Sequence, residues 1–225
     1  MDNVTLWLLF MVVDLSAVLI AYKLFGKVGL YGVICMSIIV ANIQVLKLVD
    51  MFGLTVTLGN ILYGSIFFAT DMLSEFHGKK AATKGVWLGF FVLLLTTVYM
   101  QIAMLFKPNV EDFIQPHLQA IFTIFPRVVL GSLVAYVISQ HHDVWAFDFW
   151  KQKFKGKYLW LRNNASTLVS QLIDSIIFCF IAFLGVFSME VFWQILFTTY
   201  LFKVIVAIVD TPFIYYAKLV LGKRE

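Results

Sequence analysis

The sequence predicts an all-α integral membrane protein, a bundle of helices that crosses the bilayer seven times. Three observations carry this. Of its 225 residues, 61% are hydrophobic and 13% charged, with a mean hydropathy of +0.90; a soluble domain carries about a quarter charged residues. Seven runs are each close to the ~20 mainly apolar residues that a helix needs to cross the hydrocarbon core. Lysine and arginine fall almost wholly in alternate connections, which marks a chain threaded through a membrane. The formal charge of +4 therefore follows topology and does not point to nucleic acid. No succession of short segments alternates at period two, which excludes a β-barrel.

The first run, residues 4–22, begins in MDNVTLWLLF, which has no basic stretch ahead of its apolar core, so a cleaved signal peptide is not expected. It carries one acid, Asp14, with no partner near it in sequence. Residues 28–46 follow and hold Asn42 and Gln44 near their end. The third run, 54–73, carries Asn60 and Tyr63 and leads into ATDMLSEFHGKKAATKG. There Asp71 and Glu75 are four apart and face the same way. Gly78 is a natural C-cap, and Lys79 and Lys80 complement the helix dipole. A solvated helix end accounts for Glu75 and the lysines but poorly for Asp71, which directly follows the apolar SIFFAT.

Residues 85–106 form the fourth run, and 107–119, with two prolines, an outer loop. The fifth run, 120–140, carries Arg127 directly after Pro126. Residues 141–165 interleave aromatic rings with lysines, the composition of a segment lying in the headgroup region. The sixth, 166–187, carries Asp174 with Gln171 and Ser170 one turn before it. The last, 191–217, carries Lys203 and Asp210, seven apart and so on one face, with Pro212 just beyond. Cys35 and Cys179 lie in apolar runs and read as packing residues. No internal repeat is evident.

Thirteen basic residues fall in the connections after the first, third and fifth runs and at the C-terminus, against only Lys47 and Lys107 in the other connections. This places the N-terminus outside and the C-terminus in the cytoplasm of a cell (inner) membrane.

Charges inside the spans are the functional signal, because a charge at the bilayer centre costs roughly 2.5–3.5 kcal/mol on insertion scales. Arg127 is either a snorkelling side chain or a donor fork facing a cavity. Lys203 needs a carboxylate, with Asp174, Asp210 and Asp71 as candidates. Asp174 beside Gln171 is an acceptor–donor set suited to a planar heterocycle.

At TDMLSEFHGKKAA the sequence resembles the queuosine precursor transporter family, also described as a vitamin uptake transporter family. The likeness continues through ANIQVLKLVDMFG, FPRVVLGSLVAYVISQHHDVWAF, YLWLRNNASTLVSQLIDSIIFCFIAFLG and LFKVIVAIVDTPFIYY, covering roughly residues 40–217. The resemblance implies six core transmembrane helices, so that residues 4–22 are one extra N-terminal helix. It implies a single transmembrane domain over 1–225 that imports 7-deazaguanines such as preQ0 and preQ1, or queuine, for tRNA modification. It also brings a distant likeness to the substrate-binding subunits of energy-coupling factor transporters. Nothing here resembles a nucleotide-binding loop, so an ATPase module is not expected.

A deazaguanine is flat, so aromatic side chains can sandwich it. Its two-donor edge suits a carboxylate and its carbonyl needs a donor. The expected substrate-binding residues are Asp71, Arg127, Gln171, Asp174, Asn42, Gln44, Asn60 and Tyr63. Glu75, Lys203 and Asp210 are expected as coupling or charge partners. No cofactor or metal is expected, the partners are the substrate and the lipid bilayer, and a homo-oligomer is left open.

Two other classes compete. A transporter of another vitamin-type solute or of a transition metal is one, and the metal reading would use His141, His142 and Asp143, although adjacent helical residues point about 100° apart. An intramembrane enzyme would need a base for Ser132, and none lies in sequence reach, so the chain is not expected to be an enzyme.

Overall fold

The computed structural model describes residues 1–154 and 159–220; side chains at 159–167 and at some other helical positions, Asp210, Thr211 and Lys218 among them, lie outside the described residues. The order is α1 (Asn3–Gln44), β1 (Leu48–Met51), β2 (Leu54–Thr57), α2 (Asn60–His77), α3 (Lys79–Leu105), α4 (Gln115–Phe122), α5 (Phe125–Lys153), α6 (Leu159–Phe183) and α7 (Met189–Val220). By length and composition, Asn3–Gln44, Lys79–Leu105, Gln115–Asp143 and Met189–Val209 can each cross a membrane, and Leu168–Phe183 is a shorter apolar stretch.

Helix α1 would measure about 63 Å if straight, twice the hydrocarbon thickness. It is not straight. Gly26 has φ 57 and ψ −139, outside helical space, a backbone state open to glycine because it lacks a Cβ. The two halves lie antiparallel. In the first, Asn3 reaches the Asp50 carbonyl and Tyr22 reaches His77; in the second, Tyr31 donates to the Ala81 carbonyl and Asn42 meets Ser132. The connection expected at 23–27 is thus a single-residue break between helical turns.

Residues 54–59 do not begin a helix as expected. Leu54–Thr57 form the second strand of a hairpin, with Leu48 opposite Thr57 and Met51 opposite Leu54. Phe52 (φ 54) and Gly53 (φ 74) make the two-residue turn, the mirror-image type whose twist matches paired strands. The hairpin is tied down at both edges. The Gln194 side chain accepts from the Thr55 amide at 3.0 Å, Thr198 donates to the Thr55 carbonyl, and Asn3 donates to the Asp50 carbonyl.

Other boundaries move for local reasons. Helix α3 starts at Lys79, since Gly78 alone (φ 79) separates it from α2. The expected outer loop contains α4, which Pro116 enters in its first turn, where a missing N–H costs nothing. The expected cytoplasmic loop 141–165 is largely helical, because α5 runs on to Lys153 and α6 begins at Leu159. Along that extension Trp145 stacks on Phe149 and Trp150 on Phe154, Phe149 meets Trp150 edge-on, and Lys153 lies over the Trp150 ring at 5.0 Å.

Outward faces carry Leu8, Val12, Trp87, Leu94, Val98 and Ile138, all exposed, while Leu15, Leu30, Phe68, Phe125 and Phe183 are fully buried. An apolar exterior suits lipid, which offers backbone and polar groups no hydrogen bonds. Helix α2 is the exception: every residue from Asn60 to Thr70 is buried. It is the central helix, packed by α1, α3 and α7.

Candidate functional site

The buried helix α2 is also polar, presenting Asn60, Tyr63, Ser65, Thr70 and Asp71 along its length. Polar groups at this depth need partners, and their partners define the site. Its N-terminus is placed by Gly59 (φ +92), where a Cβ would lie 2.6 Å from the Ala41 carbonyl oxygen. That close approach seats Asn60 and Tyr63 against the end of α1.

The centre is the ion pair of Lys203 on α7 with Asp174 on α6, both buried, at 4% and 0% exposure. The Lys203 ammonium bonds Asp174 Oδ2. Asp174 Oδ1 accepts from the Tyr63 hydroxyl at 3.0 Å and from Ser139 Oγ at 3.2 Å. The ammonium also lies 4.3 Å from the centre of the Tyr63 ring, within cation–π range. Four helices, α2, α5, α6 and α7, thus converge on one carboxylate. Of the three carboxylates open to Lys203 from sequence, the structure pairs it with Asp174; the side chain of Asp210 is outside the described residues.

A cleft opens from this pair toward the hairpin end. Asn42, Asn60, Tyr63, Ser132, Phe178, Thr199 and Lys203 line it with Ala41, Val45 and Gly59. One wall is set by Asn42, whose Oδ1 accepts from Ser132 Oγ at 2.6 Å while its amide nitrogen donates to the Ile38 carbonyl. Asn60 donates to the Thr57 carbonyl at 3.1 Å. An ammonium has three N–H donors, so Lys203 keeps donors for a ligand in the cleft. The aromatic faces of Tyr63 and Phe178 flank it, and its other polar groups are neutral. The arrangement offers aromatic surface, one charged donor and neutral amide and hydroxyl groups.

The expected site residues therefore divide. Asn42, Asn60 and Tyr63 meet Lys203 at the cleft, with Asp174 directly behind. Gln171 is buried one turn from Asp174 on the side away from the cleft, and its Oε1 has no partner among the described residues. Gln44 is half-buried and does not line the cleft, and its Oε1 is likewise unpaired. Asp71 is half-buried two turns along α2 from Tyr63. Glu75 is exposed one turn further.

Arg127 stands apart. It is exposed, and its guanidinium donates to the Ile181 carbonyl at 2.6 Å and the Leu184 carbonyl at 2.5 Å. These are the free carbonyls at the end of α6, a natural place for a cation. Asp14 is buried and leaves Oδ2 unpaired among the described residues. His142 pairs with Ser170 Oγ at 2.9 Å and Ser170 donates to Asp143, whereas exposed His141 turns back to the Val137 carbonyl. The two histidines thus point to different partners.

Ser139, Phe178 and Thr199 were not singled out from the sequence. A signal existed: Ser139 lies seven residues from Ser132, Phe178 four from Asp174 and Thr199 four from Lys203, all helical same-face spacings.

Comparison with known proteins gives a consistent set of relatives. A family described as "Putative vitamin uptake transporter" matches residues 57–217. A "Probable queuosine precursor transporter" of Bacillus subtilis (strain 168) is 45% identical over 226 residues, covering 100% of this chain and 99% of its own. The "Queuosine precursor transporter" of Escherichia coli (strain K12) is 29% identical over 165 residues, 72% of each chain. A "Probable queuosine precursor transporter" of Haemophilus influenzae is 27% identical over 161 residues, 70% of this chain and 66% of its own. No solved structure matches significantly.

Proposed function

The chain belongs to the vitamin uptake transporter family, a family of transporters and not of enzymes, and on that footing we propose that it imports queuosine precursors, 7-deazaguanines of the preQ0 and preQ1 type, across the cell membrane. It is a multi-pass membrane protein. We read α1 as two crossings joined at Gly26, followed by α2, α3, α5, α6 and α7, which gives six core helices and one extra at the N-terminus. The basic connections at 23–27, 79–84 and 151–162 then face the cytoplasm, and the hairpin and the mouth of the cleft face outward.

The observation that carries this reading is Lys203 at the floor of the cleft, neutralised by Asp174 and flanked by Tyr63 and Phe178. Lys203 lies about 20 Å along α7 from Met189, well inside the membrane. In this reading the ammonium donates to the purine-type carbonyl, Asn60 and Asn42 meet the amino-substituted edge, and the two rings hold the heterocycle face-on. Asp174 balances the charge of Lys203 and aims it rather than touching the ligand first. Arg127 then fixes the end of α6.

Purified protein titrated with preQ0 and preQ1, and proteoliposomes containing only this chain, test the reading. Saturable binding that weakens in Lys203→Met, with uptake by the chain alone, is the expected result. Absence of binding by the wild-type protein refutes the substrate assignment. Binding without uptake by the chain alone points to an added energy-coupling module.

A further inference from the structure

Among the described residues, five buried side-chain polar atoms lack any hydrogen-bond partner: Asp14 Oδ2, Gln44 Oε1, Tyr136 OH, Gln140 Nε2 and Gln171 Oε1. In a membrane interior such groups are expensive, because no lipid atom can pair with them. Three of the five share one level of the α5–α6 interface. Ser139 bonds Asp174, and His142 bonds Ser170. These two contacts bracket Gln140 on α5 and Gln171 on α6. Tyr136 is one turn before Gln140 on the same face of α5.

This level is separated from the cleft. The rings of Tyr63, Phe67 and Tyr136 pack against one another at 5.6–6.4 Å, and Phe90 adds a fourth face against Tyr136 at 4.9 Å. The cleft lies on one side of this aromatic partition and the unpaired amides lie on the other. Their chemistry is neutral donor and acceptor: an amide NH₂, an amide carbonyl and a phenol that can do either. That set matches the edge of a flat nitrogen heterocycle carrying both N–H and carbonyl groups.

We infer that Tyr136, Gln140 and Gln171 form a second binding station for the same heterocycle, on the far side of the Tyr63–Phe67–Tyr136 partition from the open cleft. The inference rests on the transport reading above. The cleft is the station of entry, and the unpaired atoms are satisfied when the ligand passes the partition. A purely structural Tyr136 would be better as phenylalanine, since an unpaired buried hydroxyl only destabilises.

Tyr136→Phe is therefore the decisive variant, because it removes one oxygen and leaves the ring packing. Gln140→Leu and Gln171→Leu accompany it, with Gln171→Asn as the conservative control. Three readouts are needed: thermal unfolding, equilibrium binding of preQ1 in detergent, and preQ1 uptake into proteoliposomes. The expected result for Tyr136→Phe is an unfolding temperature equal to or above wild type, unchanged cleft binding, and uptake slowed roughly tenfold. Gln171→Leu behaves alike, and Gln171→Asn recovers part of the rate. Wild-type uptake in Tyr136→Phe and in both leucine variants overturns the second station alone. Parallel loss of binding and uptake in a variant that still unfolds like wild type overturns it too, since the amides then belong to the cleft. Failure of the wild-type protein to bind preQ1 overturns the transport reading, and the station with it.

Discussion

Replacing Asp174 by asparagine leaves the Lys203 ammonium buried without its counter-charge, and the cost can be worked from the geometry. Both side chains are almost fully buried. Removing one member of such a pair costs about 3–5 kcal/mol, a large share of a typical stability of about 5–15 kcal/mol. Tyr63 and Ser139 can still donate to the asparagine carbonyl, so their bonds survive and the lower end, about 3 kcal/mol, applies. For a chain of this size that is a fall of roughly 6–12 °C in unfolding temperature. Lys203→Met strands the carboxylate and falls by a similar amount. The double variant removes both charges and regains most of the loss, within about 1 kcal/mol of wild type, because neither charge is left unpaired. Uptake does not return with stability, since the ammonium that meets the ligand is gone. The assay is a thermal-shift cycle of four proteins in one detergent, with uptake measured on each. Additive losses in the double variant, or transport by a chain lacking both charges, would refute the coupled-pair account.

Arg127→Gln loses the cap on the Ile181 and Leu184 carbonyls, lowering stability by no more than about 1 kcal/mol at this exposed position; preQ1 titration returns an unchanged dissociation constant, and a weakened one puts Arg127 back in the site. Gly64→Ala drives a Cβ to 2.3 Å from Val206 Cγ1, a stiff and fully buried side chain, so it costs about 1–3 kcal/mol; an unshifted unfolding temperature would disprove the tight α2–α7 contact. Asn42→Leu leaves the Ser132 hydroxyl unpaired in the cleft wall and costs about 1–2 kcal/mol, with weaker preQ1 binding; full-strength binding would make Asn42 a purely structural residue. A deazaguanine bearing a carboxylate competes with preQ0 poorly, since Asp174 already neutralises Lys203; equal competition would mean that Lys203 leaves Asp174 for the ligand.

The composition and the basic-residue pattern were enough to reach a helical membrane protein, because lipid imposes its demands on every span at once. Position within a span was harder. Asp174 and Lys203 stood out as ions in apolar runs, and their pairing was one of three options until α6 and α7 were set side by side. Arg127 carried the same sequence signal and turned out to lie at a helix end, since depth along a span does not say which carbonyls are within reach. The hairpin was missed because LVDMFGLTVT is as apolar as its neighbours and its turn uses Phe52-Gly53 rather than an asparagine-glycine pair. Helix α2 was legible only in part: its polar residues were visible, but its complete burial comes from the helices around it.

A buried ion pair is poor evidence of stability, since apolar residues of similar size often do as well or better. The Lys203–Asp174 pair therefore asks for another explanation, and its geometry supplies one. The pair is neutral as a unit, and the Tyr63 ring and hydroxyl reinforce both of its members. Lys203 can thus offer a charge-strengthened donor to the cleft without needing an anion there. A ligand without charge, such as preQ0, can arrive and depart while no charge is stranded in the membrane at either moment. An unpaired lysine would either bind an anion too tightly to release or lose its proton, and an uncharged donor would bind less strongly. For a carrier, which must let go of what it holds, a neutralised ammonium behind an aromatic cleft meets both demands.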